Sequence, residues 1–191
     1  GGHPVAVLEE AFSRQQSAPC FPVKWNHLGA TIEFVHLDAD LWYEIDGLRV
    51  KAKLQPHPGD SYGYRFEQNS KALVYSTDTE HKLQSEPETE GIVEFYRNAD
   101  LVVLDAMYSL NETMNSKEDW GHSSNVVGVD LCLRAHVKHY CMFHHEPAHG
   151  DETLHTILAE TRRYAEIAGD GQALQVSAAY DLLHGLIPYW G

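Results

Sequence analysis

Five positions carry side chains able to hold a divalent cation or move a proton: His57 in Gln-Pro-His-Pro-Gly, Asp78 in Ser-Thr-Asp-Thr-Glu, Asp105 after Leu-Val-Val-Leu, His122 in Gly-His-Ser-Ser, and His144 in Phe-His-His-Glu. A neutral imidazole binds zinc and similar ions well, and a carboxylate with two oxygens can span two ions about 3.5–4 Å apart. Taken singly, each has a plainer reading. A histidine between prolines is usually a solvated loop residue, and an aspartate between threonines reads as a turn residue or a helix cap. Either His144 or His145 could face a site, His122 could simply precede a capped helix, and Asp105 could be an ordinary strand-end residue. His145, His149, Asp151 and His155 form a second group with metal-compatible spacing, but a solvated loop with a capping Asp151 accounts for it. Thirteen histidines in 191 residues are many; their positions, not their number, carry the argument.

These positions need elements to bring them together. Apolar residues at Val5, Leu8, Ala11 and Phe12 give a helix over 5–16, followed by an irregular stretch through Pro19 and Pro22. Alternation over 31–37 predicts a strand, and two further runs over 41–54 flank Asp46-Gly47, a hairpin signal. Residues 62–68 and 71–76 form another hairpin about Asn69-Ser70. The rhythm then changes: a helix over 90–98, a buried strand at 101–104, a helix capped by Ser123 or Ser124 and running to His136, a strand over 137–143, a helix from Asp151 or Thr153 to about Gly169, and a strand over 174–179. Hairpins followed by helix–strand units make an α+β arrangement. Asp78, Asp105 and His144 each follow a strand in this reading, so they gather along one sheet edge where loops hold ligands. Trp25, Trp42, Trp120 and Trp190 read as core or interface aromatics.

At 43% apolar and 22% charged, the chain is expected to form a single domain over residues 1–191 with a sizeable core. No segment approaches the roughly 18 consecutive apolar residues of a membrane span and no basic leader is evident, so no membrane partner and a cytoplasmic location are expected. Cys20, Cys132 and Cys141 suit buried reduced thiols rather than a disulfide framework. Fourteen basic against 28 acidic residues give a net charge of −14, which repels phosphate backbones and makes long nucleic acid a poor substrate candidate. A small phosphodiester is less affected, because bound cations dominate the field within a pocket.

Taken in order, the segments 54–66 (Leu-Gln-Pro-His-Pro-Gly-Asp-Ser-Tyr-Gly-Tyr-Arg-Phe), 73–80 (Leu-Val-Tyr-Ser-Thr-Asp-Thr-Glu), 121–124 (Gly-His-Ser-Ser) and 141–147 (Cys-Met-Phe-His-His-Glu-Pro) resemble the downstream motifs of the metallo-β-lactamase superfamily. The branch looks like tRNase Z and the phosphoribosyl cyclic phosphodiesterases, and the likeness runs from about Val5 to Ala178-Ala179-Tyr180-Asp181 near the end. It implies the C-terminal portion of an αββα sandwich, a mixed sheet flanked by helices. It makes His57 a ligand of one metal, Asp78 the carboxylate bridging two, and His144 a ligand of the second. His122 would stand beside the substrate phosphate and protonate the leaving oxygen, with Asp105 orienting it. Two divalent ions, zinc or alternatively manganese, would supply a metal-bridged hydroxide that opens a small cyclic or linear phosphodiester.

The family's His-x-His-x-Asp-His motif is absent from this sequence. Each metal is left with two protein ligands, counting Asp78 twice, where a stable zinc site takes three or four. Weak or partial occupancy follows, and with it inactivity of this chain alone. Half of a sandwich would also leave an apolar sheet face open, to be covered by the N-terminal half of the fold or by a second copy of the chain. Where tRNase Z enzymes carry a long insertion, only Asn69-Ser70 joins the strands, which favours a small substrate over tRNA. The alternative is a non-catalytic regulatory or interaction module that retains the fold.

Overall fold

A computed structural model describes residues 3–109 and 121–180. Two tight turns organise its first half. Asp46-Gly47 joins β1 (Trp42–Ile45) to β2 (Leu48–Gln55), and Asn69-Ser70 joins β3 (Ser61–Gln68) to β4 (Lys71–Ser76). All four turn residues have φ between 50° and 77°, the left-handed pair that matches a two-residue turn to the strand twist. The four strands pair antiparallel in sequence order. Thereafter β5 (Leu101–Asp105), β6 (His139–Phe143) and β7 (Gln175–Ala178) add in parallel, completing a seven-stranded sheet in the order β1 to β7.

Each parallel step crosses through a helix: α2 (Glu86–Tyr96), α3 (Asn125–Arg134) and α4 (Asp151–Ala168), with α1 (Val5–Gln15) ahead of the sheet. Successive crossovers of one hand in one direction place these helices on one face. There Val74, Val102, Leu104, Tyr140 and Met142 pack against Ile92, Phe95, Tyr96, Val129, Leu131 and Ile157 in the main core. A smaller cluster on the other face gathers Leu37, Val50 and Ala52 with Tyr64 and Phe66. That face is incompletely covered, leaving Leu54 50% and Tyr75 39% exposed. No helix among the described residues is long and apolar enough to cross a membrane.

Several local expectations are corrected. Residues 31–37 form no strand, because the segment finds no ladder partner among the described residues; only Ala39 bridges Ala52, and Phe34 instead packs edge-on against Phe12 and Trp25. Helix α2 begins four residues earlier than its apolar spacing suggests, at Glu86. Its polar first turn carries Pro87 near the start with Glu86 and Glu88, groups suited to the positive end of a helix. Asp151 is not the cap of α4, since Gly150 holds that place and Asp151 opens the first turn. Of the two places expected for Trp42, core or interface, the core is ruled out: it is 39% exposed, with the Arg49 guanidinium 4.3 Å above its ring. Cys132 and Cys141 are buried, but Cys20 is exposed. Trp120, Asp181 and Trp190 lie outside the described residues.

The Gly-Tyr-Arg triplet of β3 has a structural task. A β-carbon on Gly63 would stand 2.3 Å from Gln55 Oε1, so only glycine lets that buried side chain cross the strand. Arg65 donates from Nη1 to the carbonyls of Phe95 at 2.9 Å and Arg97 at 3.0 Å, satisfying acceptors that the end of α2 leaves without intrahelical partners. Arg65→Ala should therefore cost about 2–3 kcal/mol in urea denaturation. Lys71→Ala, which removes a part-exposed pair with Asp100, should cost less than about 1 kcal/mol.

Candidate metal centre

Because β4, β5 and β6 run parallel, their C-terminal ends share one rim, and the loops that leave them carry Asp78, the segment after Asp105, and His144. The antiparallel β2 brings a fourth loop, Pro56-His57-Pro58, to the same rim. Asp78 and His144 both adopt left-handed backbone, φ 52° and 57°, a conformation that non-glycine residues keep only where surrounding structure enforces it. It turns their side chains toward each other, with His144 Nε2 3.2 Å from Asp78 Oδ1.

His122 enters from the turn before α3. Its Nδ1 donates to Asp105 Oδ2 at 2.7 Å, which leaves Nε2 for the open side of the rim. The ring lies 5.5 Å from that of His57 and 4.8 Å from that of His144, centroid to centroid. One donor atom each from His57, Asp78 and His122 falls within 4.8 Å of the others, and the same holds for Asp105, His122 and His144. All five residues singled out from the sequence thus occupy one cluster. Its imidazoles and carboxylates are the donor types that zinc and manganese accept, and its span suits one or two ions. No group of three donors forms around His145, His149, Asp151 and His155 among the described residues; His145 is instead within 3.1 Å of the Ala179 carbonyl.

Asp105 is fully buried. It accepts N–H groups from Thr79 at 3.1 Å and Met107 at 3.1 Å besides the His122 ring. Burial pushes its carboxyl above the usual range, against the opposing pull of these donors.

Several residues to which the sequence assigns no part in the site hold the cluster in shape. Gly121 has φ 88°, and a β-carbon there would stand 2.7 Å from Pro58 Cδ and 2.9 Å from His57 Cδ2. Its glycine identity is what lets the His122 turn lie against the His57 ring. Glu80 links the same two loops: its N–H donates to Pro56 O at 2.8 Å, and its Oε2 accepts the Gly121 N–H at 3.0 Å. Behind them runs a buried polar chain. Gln55 Nε2 donates to Thr77 O at 2.9 Å, and Ser76 Oγ donates to Gln55 Oε1. Ser76 also bonds Tyr96 OH at 2.6 Å, which lies 3.1 Å from His81 Nε2. The His81 N–H donates to Ser123 Oγ at 3.0 Å, and Ser123 Oγ donates to Thr79 O at 2.6 Å. The only sequence signal for this chain is a run of small polar residues at a strand end, Ser76-Thr77-Asp78-Thr79, too common to single out.

The family described as Beta-lactamase superfamily domain matches residues 4–145. The fold resembles the metallo-beta-lactamase fold protein YhfI from Bacillus subtilis (TM-score 0.59, 16% identity, 77% of this chain and 52% of that one). It also resembles a diphosphatase from the PhnP family (0.53, 20%, 83% and 51%) and the short form of human tRNase Z (0.52, 17%, 74% and 44%). The chain spans about half the length of these solved structures. No curated protein matches it in sequence.

The His81 environment yields a test of the polar chain. Burial lowers its pKa from 6.5 to about 4, so the unfolded state takes up a proton where the folded state does not. The stability this neutral histidine contributes is present above about pH 6.5 and is lost as pH falls toward about 4, by an amount on the order of 3 kcal/mol. Urea denaturation across that window should show the loss in the wild-type chain and a flatter profile in His81→Gln.

Proposed function

The chain belongs to the Beta-lactamase superfamily domain family, and from that premise we propose that it is the metal-holding C-terminal part of a hydrolase acting on small phosphodiesters, cyclic or linear. One observation carries the reading: donor atoms of His57, Asp78 and His122, and of Asp105, His122 and His144, meet at one rim in two groups that share His122. In this reading His57, Asp78 and His144 would hold the ions. Zinc fits this donor set, and manganese is the alternative. Bound divalent ions supply a water acidic enough to attack at neutral pH, and they offset charge on a phosphoryl oxygen.

The chain's own groups do the remaining work. Asp105 fixes His122 in the tautomer whose Nε2 faces the rim, where it gives a proton to the leaving oxygen. The buried, multiply bonded Asp105 keeps that imidazole in place as charge develops on it. A net charge of −14 and the two-residue Asn69-Ser70 turn favour a small ester over a long nucleic acid. That a tRNase Z and a diphosphatase are among the structures it resembles supports a phosphorus ester as the substrate class.

The described donors are too few for two well-held ions. The reading therefore includes donors from outside these residues, on an N-terminal half of the fold or on a second copy of the chain, either of which would also cover the open face around Leu54 and Tyr75. A non-catalytic module retaining the fold is the competing account, and metal content separates the two. Elemental analysis of the chain alone should find zinc below one ion per chain, and less still in His144→Ala; metal-free protein that nonetheless binds a partner favours the module.

The activity test uses the complete protein with Zn²⁺ or Mn²⁺ and bis(4-nitrophenyl) phosphate. Asp78→Ala should lower kcat/KM by a factor on the order of 10³ or more, as expected when metal catalysis is lost. Undiminished hydrolysis by that variant would remove Asp78 from the centre.

A further inference from the structure

A cavity of about 710 Å³ opens beside the candidate centre on the helix-bearing side of the sheet. His57 and Gly121 stand in its wall, so the cavity adjoins the rim at these two residues. The other walls come from the end of β2, the 80–83 segment and the first half of α2, with Pro56, Pro58, Leu83, Pro87 and Ile92 among them. Its size is that of a site for a small organic molecule.

The charges facing it are already answered. Lys53 Nζ lies 3.2 Å from Asp40 Oδ1, and Lys82 Nζ lies 3.7 Å from Glu80 Oε1. His81 is neutral near neutral pH, and Glu88 adds a carboxylate at the exposed edge. Among the described residues a second anionic group would find no unpaired cation there, whereas an apolar body would be partly desolvated by the wall.

The geometry points to this cavity as the seat of the ester's organic group: an uncharged, largely apolar alcohol residue of the size of an aryl ring or larger, lodged between α2 and the end of β2 with its phosphoryl end toward His57. The assignment rests on the phosphodiester reading above for the identity of the ligand's other end, and makes the chain selective among esters by the alcohol they carry.

Gly91 offers a clean way to test it. It lies within α2 in the cavity wall, and a β-carbon built on it meets nothing nearer than Lys53 Nζ at 3.9 Å. A larger side chain there grows into the space. Replacing glycine within a helix does not lower helix propensity, so Gly91→Phe should occupy the part of the cavity beside α2 while the chain still folds, and Gly91→Ala serves as the small control.

Titration calorimetry on the complete, zinc-loaded protein would compare diphenyl phosphate with dimethyl phosphate, while hydrolysis of both is followed separately. Wild-type protein and Gly91→Ala should bind the diphenyl ester at least about tenfold more tightly, in line with burial of a ring. Gly91→Phe should abolish that preference and leave dimethyl phosphate affinity unchanged. Equal affinities in the wild type, no measurable binding of either ester, or a preference that survives Gly91→Phe would overturn the assignment. A protein that prefers the diphenyl ester in a Gly91-dependent way but hydrolyses neither would uphold the cavity and overturn the hydrolase reading. One that hydrolyses both without any difference in binding would do the reverse.

Discussion

Three loops of this fold are tied to one buried carboxylate. Asp105 has no solvent exposure, and a carboxylate so placed costs several kcal/mol unless donors surround it. It is given three: the N–H of Thr79 from the loop after β4, the N–H of Met107 from its own loop, and the His122 ring from the turn before α3. Asp78 therefore cannot move far without disturbing the residue that orients His122, and the reverse also holds. An imidazole bonded at Nδ1 is fixed in both tautomer and direction. The rim is organised by its own loops, through a carboxylate and two backbone N–H groups that are not themselves needed to touch a substrate.

Behind the rim, the buried chain from Gln55 through Ser76, Tyr96 and His81 to Ser123 spans β2, β4, α2 and the turn before α3. Every link has a partner, which is the condition for a buried polar network to rigidify rather than destabilise a core. Two glycines permit the close approaches on which it and the rim depend, Gly63 beside Gln55 and Gly121 beside His57. Arg65 anchors the C-terminal end of α2 to β3, and α2 is also the wall of the cavity next to His57. The packing that forms the sheet thus shapes the space in which a ligand would lie.

Much of this could be read from the sequence because it depends on short-range rules. Asp46-Gly47 and Asn69-Ser70 announce two-residue turns, and the apolar runs of β5 and β6 announce buried parallel strands. From those elements alone, Asp78, Asp105 and His144 had to reach one edge. What escaped notice depends on partners distant in the chain. The alternation of residues 31–37 is a strand signal, but a strand needs a neighbour, and Phe34 finds an aromatic cluster with Phe12 and Trp25 instead. Trp42 is expected in the core or at an interface by type, yet its place on the edge strand β1 leaves it part-exposed beneath Arg49. Glu80 and Gly121, though inside the family-like segments, and His81 are given no role by the sequence because nothing in their local sequence reports a contact with residues some forty positions away.

The central claim is that the side chains meeting at this rim hold metal. X-ray absorption at the zinc edge of the zinc-loaded complete protein tests it most directly, because imidazole ligands leave a countable outer-shell signature. The account predicts a nitrogen- and oxygen-only first shell whose imidazole contribution drops in His57→Ala and again in the His57→Ala, His144→Ala double variant. A spectrum unchanged by both substitutions would contradict it.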